Sequence, residues 1–71
     1  MSKNYLEIIE QLTEEEMLIK QPQEVRIEVS SKEDAIEKLD IYEPAFIGLN
    51  YVKRYHICKH EEGQPCEIEV L

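Results

Sequence analysis

Seventy-one residues provide for one small domain, residues 1–71, and not for two. Sixteen acidic residues against eight basic ones leave a formal net charge of −8, a surface that repels phosphate backbones and anionic lipid. The expected partners therefore include no nucleic acid and no membrane.

The hydrophobic share, 42%, comes in periodic runs, so the chain reads as globular and not as a charge-rich disordered segment. A domain this short buries only about 60% of the surface its unfolded chain exposes. It calls for a second stabiliser: a partner chain, a metal or a disulfide. No apolar run approaches the ~20 residues of a membrane span. The opening Met-Ser-Lys-Asn-Tyr-Leu-Glu lacks the apolar stretch of a signal peptide. A cytoplasmic protein with Cys58 and Cys66 reduced is the expectation, a setting that argues against a Cys58–Cys66 disulfide closing a short loop. Richness in Glu, Ile and Lys points to a warm-living source.

Ser2 reads as the N-cap of a helix over residues 3–19, with Tyr5, Leu6, Ile8, Ile9 and Leu12 recurring at three and four to form one stripe. Thr13 with Glu16 is a capping box ahead of Met17, Leu18 and Ile19, which either restarts the helix or lies inside it. Residues 17–20 also fit a short strand turning through Gln21-Pro22-Gln23, and both readings stay open. Val25, Ile27 and Val29 alternate with Arg26 and Glu28, the pattern of a half-buried strand over residues 25–29. Ser30, followed by Glu33, opens a helix over residues 31–42 that turns Ala35, Ile36 and Leu39 inward and ends before Pro44.

Residues 45–60 read as one long extended stretch. Its odd positions, among them Ile47, Leu49, Tyr51, Tyr55 and Ile57, are the apolar and core-facing set. Phe46, Val52, Arg54, His56 and Cys58 then point outward, and Gly48 with Asn50 marks a bulge or bend. Glu61-Glu62-Gly63-Gln64 is a turn into a final strand, residues 66–71. A helical crossover between residues 29 and 45 makes the first two strands parallel. The expected fold is α+β: a mixed three-stranded sheet (25–29, 45–60, 66–71) with both helices on one face and the other face bare.

Chemistry-bearing motifs are few. Gly48 and Gly63 stand alone, so no phosphate-cradling loop exists, and Ser2, Thr13, Ser30 and Ser31 read as helix caps and not nucleophiles. The run Glu14-Glu15-Glu16 is the acidic first turn of a helix. Lys53, Arg54 and Lys59, with no acidic residue between Pro44 and His60, interleave with Tyr51 and Tyr55 in the manner of a stacking, phosphate-binding face. The overall acidity favours the plainer account, a basic strand neutralising the protein's own carboxylates. His56, Cys58, His60 and Cys66 have zinc-ligand chemistry, though not the spacing of a zinc knuckle. Cys58 beside His56 and His60 also has the makings of an activated thiolate, but nothing supplies an orienting group or a pocket.

In the C-terminal hairpin, opposed residues share a face, and a one-residue slip flips every side chain. Setting Ile57 opposite Ile68 and Tyr55 opposite Val70 gathers the apolar side chains on the core side, where each buried aliphatic is worth roughly 1.5–3 kcal/mol. Glu67 and Glu69 then join His56 and Cys58 on the outer face. A five-residue loop would instead set His60 opposite Cys66 and gather all four ligand types on one face, an arrangement that zinc could stabilise by ~10 kcal/mol or more. The apolar register is the expected one.

With no catalytic signature, the expected function is a non-enzymatic protein-interaction module, self-associating through the outer face or edge of its sheet. The expected interaction face comprises Phe46, Val52, Arg54, His56, Cys58, Glu67 and Glu69, with Leu71 also outward. The alternative is a small zinc-binding protein using His56, Cys58, His60 and Cys66; otherwise no cofactor is expected.

Overall fold

A computed structural model describes residues 2–59 and 66–71. In chain order the elements are strand β1 (Ser2–Glu10), helix α1 (Glu14–Met17), strand β2 (Glu24–Val29), helix α2 (Lys32–Tyr42), a 3-10 turn (Glu43–Phe46), strand β3 (Tyr51–Lys59) and strand β4 (Glu67–Val70). The strands lie in the order β2-β1-β3-β4, and every neighbouring pair is antiparallel. The fold is α+β with two helices, as the sequence predicts, on a four-stranded antiparallel sheet and not a mixed three-stranded one.

The additional strand is the first segment, which the apolar spacing assigns to a helix. Read at a period of two, Leu6 and Ile8 fall on one face and Tyr5, Glu7 and Ile9 on the other. Tertiary pairing decides between the two periodicities. As β1, this segment is the inner strand of the sheet, paired with β2 from Asn4 to Ile9 and with β3 along its whole length, so its backbone groups are satisfied on both sides. Leu6 and Ile8 are fully buried. The Thr13 capping box marks a true helix start: Thr13 Oγ1 accepts from the Glu16 N–H and Glu16 Oε1 from the Thr13 N–H, both at 3.2 Å. The helix it opens is only four residues long and has no buried residue.

Strands β2 and β3 run in the same direction, as a helical crossover requires, but β1 lies between them. Crossover helix α2 is capped by Ser31, one residue later than expected, whose hydroxyl accepts from the Asp34 N–H at 3.1 Å; Asp34 Oδ2 in turn accepts from the Ser30 N–H at 2.9 Å. The helix buries Ala35 and Leu39 against Leu6, Ile8, Val29, Phe46 and Tyr55, while Ile36 stays half-exposed.

The predicted strand over residues 45–60 begins only at Tyr51, because residues 43–50 turn back toward the core. Pro44 opens the 3-10 turn, and Phe46, expected outward, is fully buried with its ring 5.5 Å from that of Tyr51. Gly48 then takes φ 87°, a left-handed conformation that side chains other than glycine disfavour. Burying Phe46, Leu6 and Ile8 contributes roughly 1.5–3 kcal/mol each. The Cα envelope, 39 × 29 × 15 Å, is thin in one direction, as a sheet with a single helical layer must be.

Candidate interaction face

Alternation places Leu6, Ile8, Val25, Ile27, Val29, Tyr55 and Ile57 beneath α2 and leaves the opposite face of the sheet, among the described residues, without a covering layer. At the middle of that uncovered face, Glu7 of β1 directly opposes Arg54 of β3, and His56 lies one pair further along. Glu7 Oε1 accepts from Arg54 Nη1 at 3.3 Å and sits 3.1 Å from His56 Nε2. An ionised Glu7 can only accept, and His56 is then the donor at this contact, through Nε2. Glu7 and His56 are only 9% and 8% exposed although no described element forms a layer over them. Arg26, opposite Glu7 on β2, lays its guanidinium 4.9 Å from the centre of the Tyr5 ring. Apolar Ile9, Val52, Ile68 and Val70 share this face, the last two largely exposed.

Of the residues the sequence assigns outward, Val52, Arg54, His56 and Cys58 do lie on the uncovered face. Four others do not. Phe46 is in the core, and Glu67 and Glu69 occupy the helix-side face, where Glu69 pairs with Lys32 of α2. Leu71 also turns to the core, its N–H donating to the Lys53 carbonyl at 2.9 Å. Tyr5, Glu7, Ile9 and Arg26 are additions; the first three were hidden by the helical reading of residues 3–19, although the Tyr5-Glu7-Ile9 alternation carried the signal.

The hairpin register explains the displaced glutamates. Ile57 opposes Glu67 and His56 opposes Ile68, one residue away from the predicted Ile57–Ile68 pairing. Cys58 and Cys66 thereby come directly opposite and are joined by a disulfide, which corrects the expectation of reduced thiols. The Leu71–Lys53 hydrogen bond sets the alternation of the ladder and makes 58–66 a non-hydrogen-bonded pair, the kind in which Cα atoms approach to about 4.5 Å. The observed Cα separation is 4.3 Å. Slipping the strands by one residue would send the two cysteines to opposite faces, so the covalent bond and the predicted apolar register are incompatible.

The same bond bears on zinc. Disulfide sulfurs are not thiolate ligands, His56 Nε2 is engaged by Glu7, and His60 lies outside the described residues. Among the described residues, no three His, Cys, Asp or Glu side chains converge to hold a metal ion. Two of the basic residues of β3, Lys53 and Arg54, are matched internally. Lys53 Nζ lies 2.8 Å from Glu43 Oε2, which also accepts from Tyr51 Oη at 3.0 Å, and Arg54 pairs with Glu7. The Lys53 ammonium, then the Tyr51 hydroxyl, hold the Glu43 carboxyl below its ordinary pKa.

A histidine oriented by a carboxylate is half of a nucleophile-activating arrangement. Here the other half is missing among the described residues near it: Cys58 is bonded to Cys66, and Thr13 and Ser31 cap helices. Among the described residues, two shallow clefts of about 210 and 200 Å³ lie away from His56, one between Ile9 and Pro22 and one between Leu39 and Tyr51. Both fall below the roughly 300 Å³ at which ligand pockets begin. Among the described residues, no helix is long and apolar enough to cross a membrane. No protein-family model matches the chain, and no curated protein or solved structure is significantly similar to it.

Proposed function

We propose that this protein is a non-enzymatic interaction module that binds a protein chain through the uncovered side of its sheet, by its face or its edge, with a second copy of itself as the partner. The observation that carries the reading is the one-sided sheet: Ile9, Val52, Ile68 and Val70 are apolar on a face that, among the described residues, no strand or helix layer covers. Self-association would also supply the stability that so small a core leaves wanting. The reading keeps the protein in a cytoplasm, one in which Cys58 and Cys66 remain oxidised. Hyperthermophile interiors meet that condition, and the Glu- and Lys-rich composition agrees with it.

Sedimentation equilibrium across a hundredfold dilution tests the proposal, with melting followed over the same range. A dimer with a concentration-dependent midpoint is expected. A monomer whose midpoint does not move with concentration would overturn it.

A further inference from the structure

The two edges of the sheet are built differently. β4 is short, exposed along its length, and carries Glu67 and Glu69, so pairing it in register with its own copy sets carboxylate against carboxylate. β2 is longer and regular. Over Glu24–Val29 it has no proline, lysine or bulge, the devices that guard free edges.

The open side of β2 can be specified. The Glu10 N–H donates to the Gln23 carbonyl at 2.8 Å, extending the β1–β2 register by one pair. Ladder bonds in an antiparallel pair fall on alternate residues, so Val25, Ile27 and Val29 bond to β1. The N–H and C=O groups of Glu24, Arg26 and Glu28 therefore point away from the sheet, toward an incoming strand.

We infer that β2 pairs antiparallel with β2 of a second copy about a twofold axis at Ile27, joining two sheets into one of eight strands. This rests on the reading of the chain as a self-associating module and names its edge and register. With the axis at Ile27, Arg26 opposes Glu28 of the second copy and Glu28 opposes its Arg26, while Val25 meets Val29 on the helix side. The hydrogen-bonding positions Arg26 and Glu28 exchange backbone bonds, and Ile27 faces its own copy at a non-hydrogen-bonded position. Both charged pairs are attractive, and every pair on the helix side is aliphatic. Moving the axis to Arg26 sets Arg26 against Arg26 and Glu24 against Glu28, which is repulsive throughout. An axis at Val25 restores attraction but brings Pro22, which has no N–H, into the ladder. The alternating charges of β2 thus select one register and a twofold partner.

Charge exchange tests this on the full chain by sedimentation equilibrium at up to about 100 µM. Arg26→Glu alone and Glu28→Arg alone each weaken the dimer by about tenfold or more, because each sets like charges opposite. An equimolar mixture of the two variants re-forms a dimer, since every cross-strand pair is then opposite in sign. The double variant Arg26→Glu/Glu28→Arg dimerises like the parent. Ile27→Cys, oxidised, gives a covalent dimer on a non-reducing gel, a readout independent of charge. A dimer indifferent to both single exchanges and weakened by Val52→Asp overturns the β2 register while sparing the interaction reading. Failure of the mixture to re-associate, or absence of a cross-link in oxidised Ile27→Cys, also overturns the register. A chain monomeric at every concentration overturns both.

Discussion

Strand β1 buries side chains on both of its faces, and does so in two ways. On the helix side, Leu6 and Ile8 lose all their exposure to a second layer made of α2 and Phe46. On the other side the described residues form no second layer, yet Glu7 is almost as well hidden, with Arg54 and His56 against its carboxylate. The first kind of burial is apolar and depends on volume; the second is polar and depends on partners. Substitutions on the two faces should therefore fail for different reasons, a cavity on one side and an orphaned hydrogen-bonding group on the other.

The largest effect belongs to the covered face. Leu6→Ala or Ile8→Ala should cost about 2–5 kcal/mol, a large share of the stability of a domain this small. Urea denaturation followed by circular dichroism measures it. A loss below about 1 kcal/mol would mean that α2 collapses freely onto the sheet and that the two faces are less different than they look.

Next comes the covalent link on the uncovered face. Removing the disulfide by Cys58→Ser with Cys66→Ser should lower stability by about 2–3 kcal/mol, the amount expected for closing a short loop. The register is the sharper readout. Freed of the bond, β4 should slip by one residue and set Ile57 opposite Ile68, returning Ile68 and Val70 to the helix side. Cross-strand Hα contacts in NMR spectra report the register directly. Retention of the His56–Ile68 pairing in the double variant would show that the Lys32–Glu69 ion pair and the docking of Leu71 suffice to hold it.

The polar cluster should show the smaller cost and the more telling pattern. Glu7→Leu leaves the Nε2–H of His56 and the guanidinium of Arg54 without their acceptor and should cost about 1–3 kcal/mol. His56→Phe added to it removes one of the stranded donors, so the double variant should lose less than the sum of the singles. Strict additivity in that cycle would mean that Glu7 and His56 are buried side by side without interacting.

What the sequence made legible follows the same divide. Residues 25–29 and 31–42 announced themselves because alternation, a serine cap and a proline stop agree at each. The outward set Val52, Arg54, His56 and Cys58 came from a single parity choice within β3, and that choice holds. Residues 3–10 misled because Tyr5, Leu6, Ile8 and Ile9 satisfy periods of both 3.6 and 2, and only pairing on both sides of β1 separates them. With that strand lost, Glu7 had no partner to be seen with. Phe46 misled for another reason: parity was carried back through Pro44 and Gly48, where the chain is not extended. The hairpin register turned on a bond between Cys58 and Cys66 that spacing alone does not reveal.

Acidity offers the finest probe of the covered side. There Glu43 accepts from Lys53 and Tyr51, and its carboxyl is held below the ordinary value of 4.5, chiefly by Lys53. Glu10 is lowered too, first by the Gln23 N–H and then by Lys20, and Asp34 by the Ser30 N–H and then by Lys38. All three have folded values below their unfolded ones, so in acid the unfolded chain binds more protons than the folded one. Their contribution is complete above the unfolded values, about 4 to 4.5, and is lost as pH falls through the lower folded values. Stability should thus be level through neutral pH and decline below about pH 4. Glu43→Gln, which keeps an oxygen for Tyr51 but has no charge to lose, should be less stable than the parent at neutral pH and converge on it in acid. The urea midpoints of the two proteins, compared at about pH 7 and about pH 3, measure that convergence. Parallel acid slopes would show that the Glu43–Lys53 pair is screened by solvent and contributes nothing at either pH.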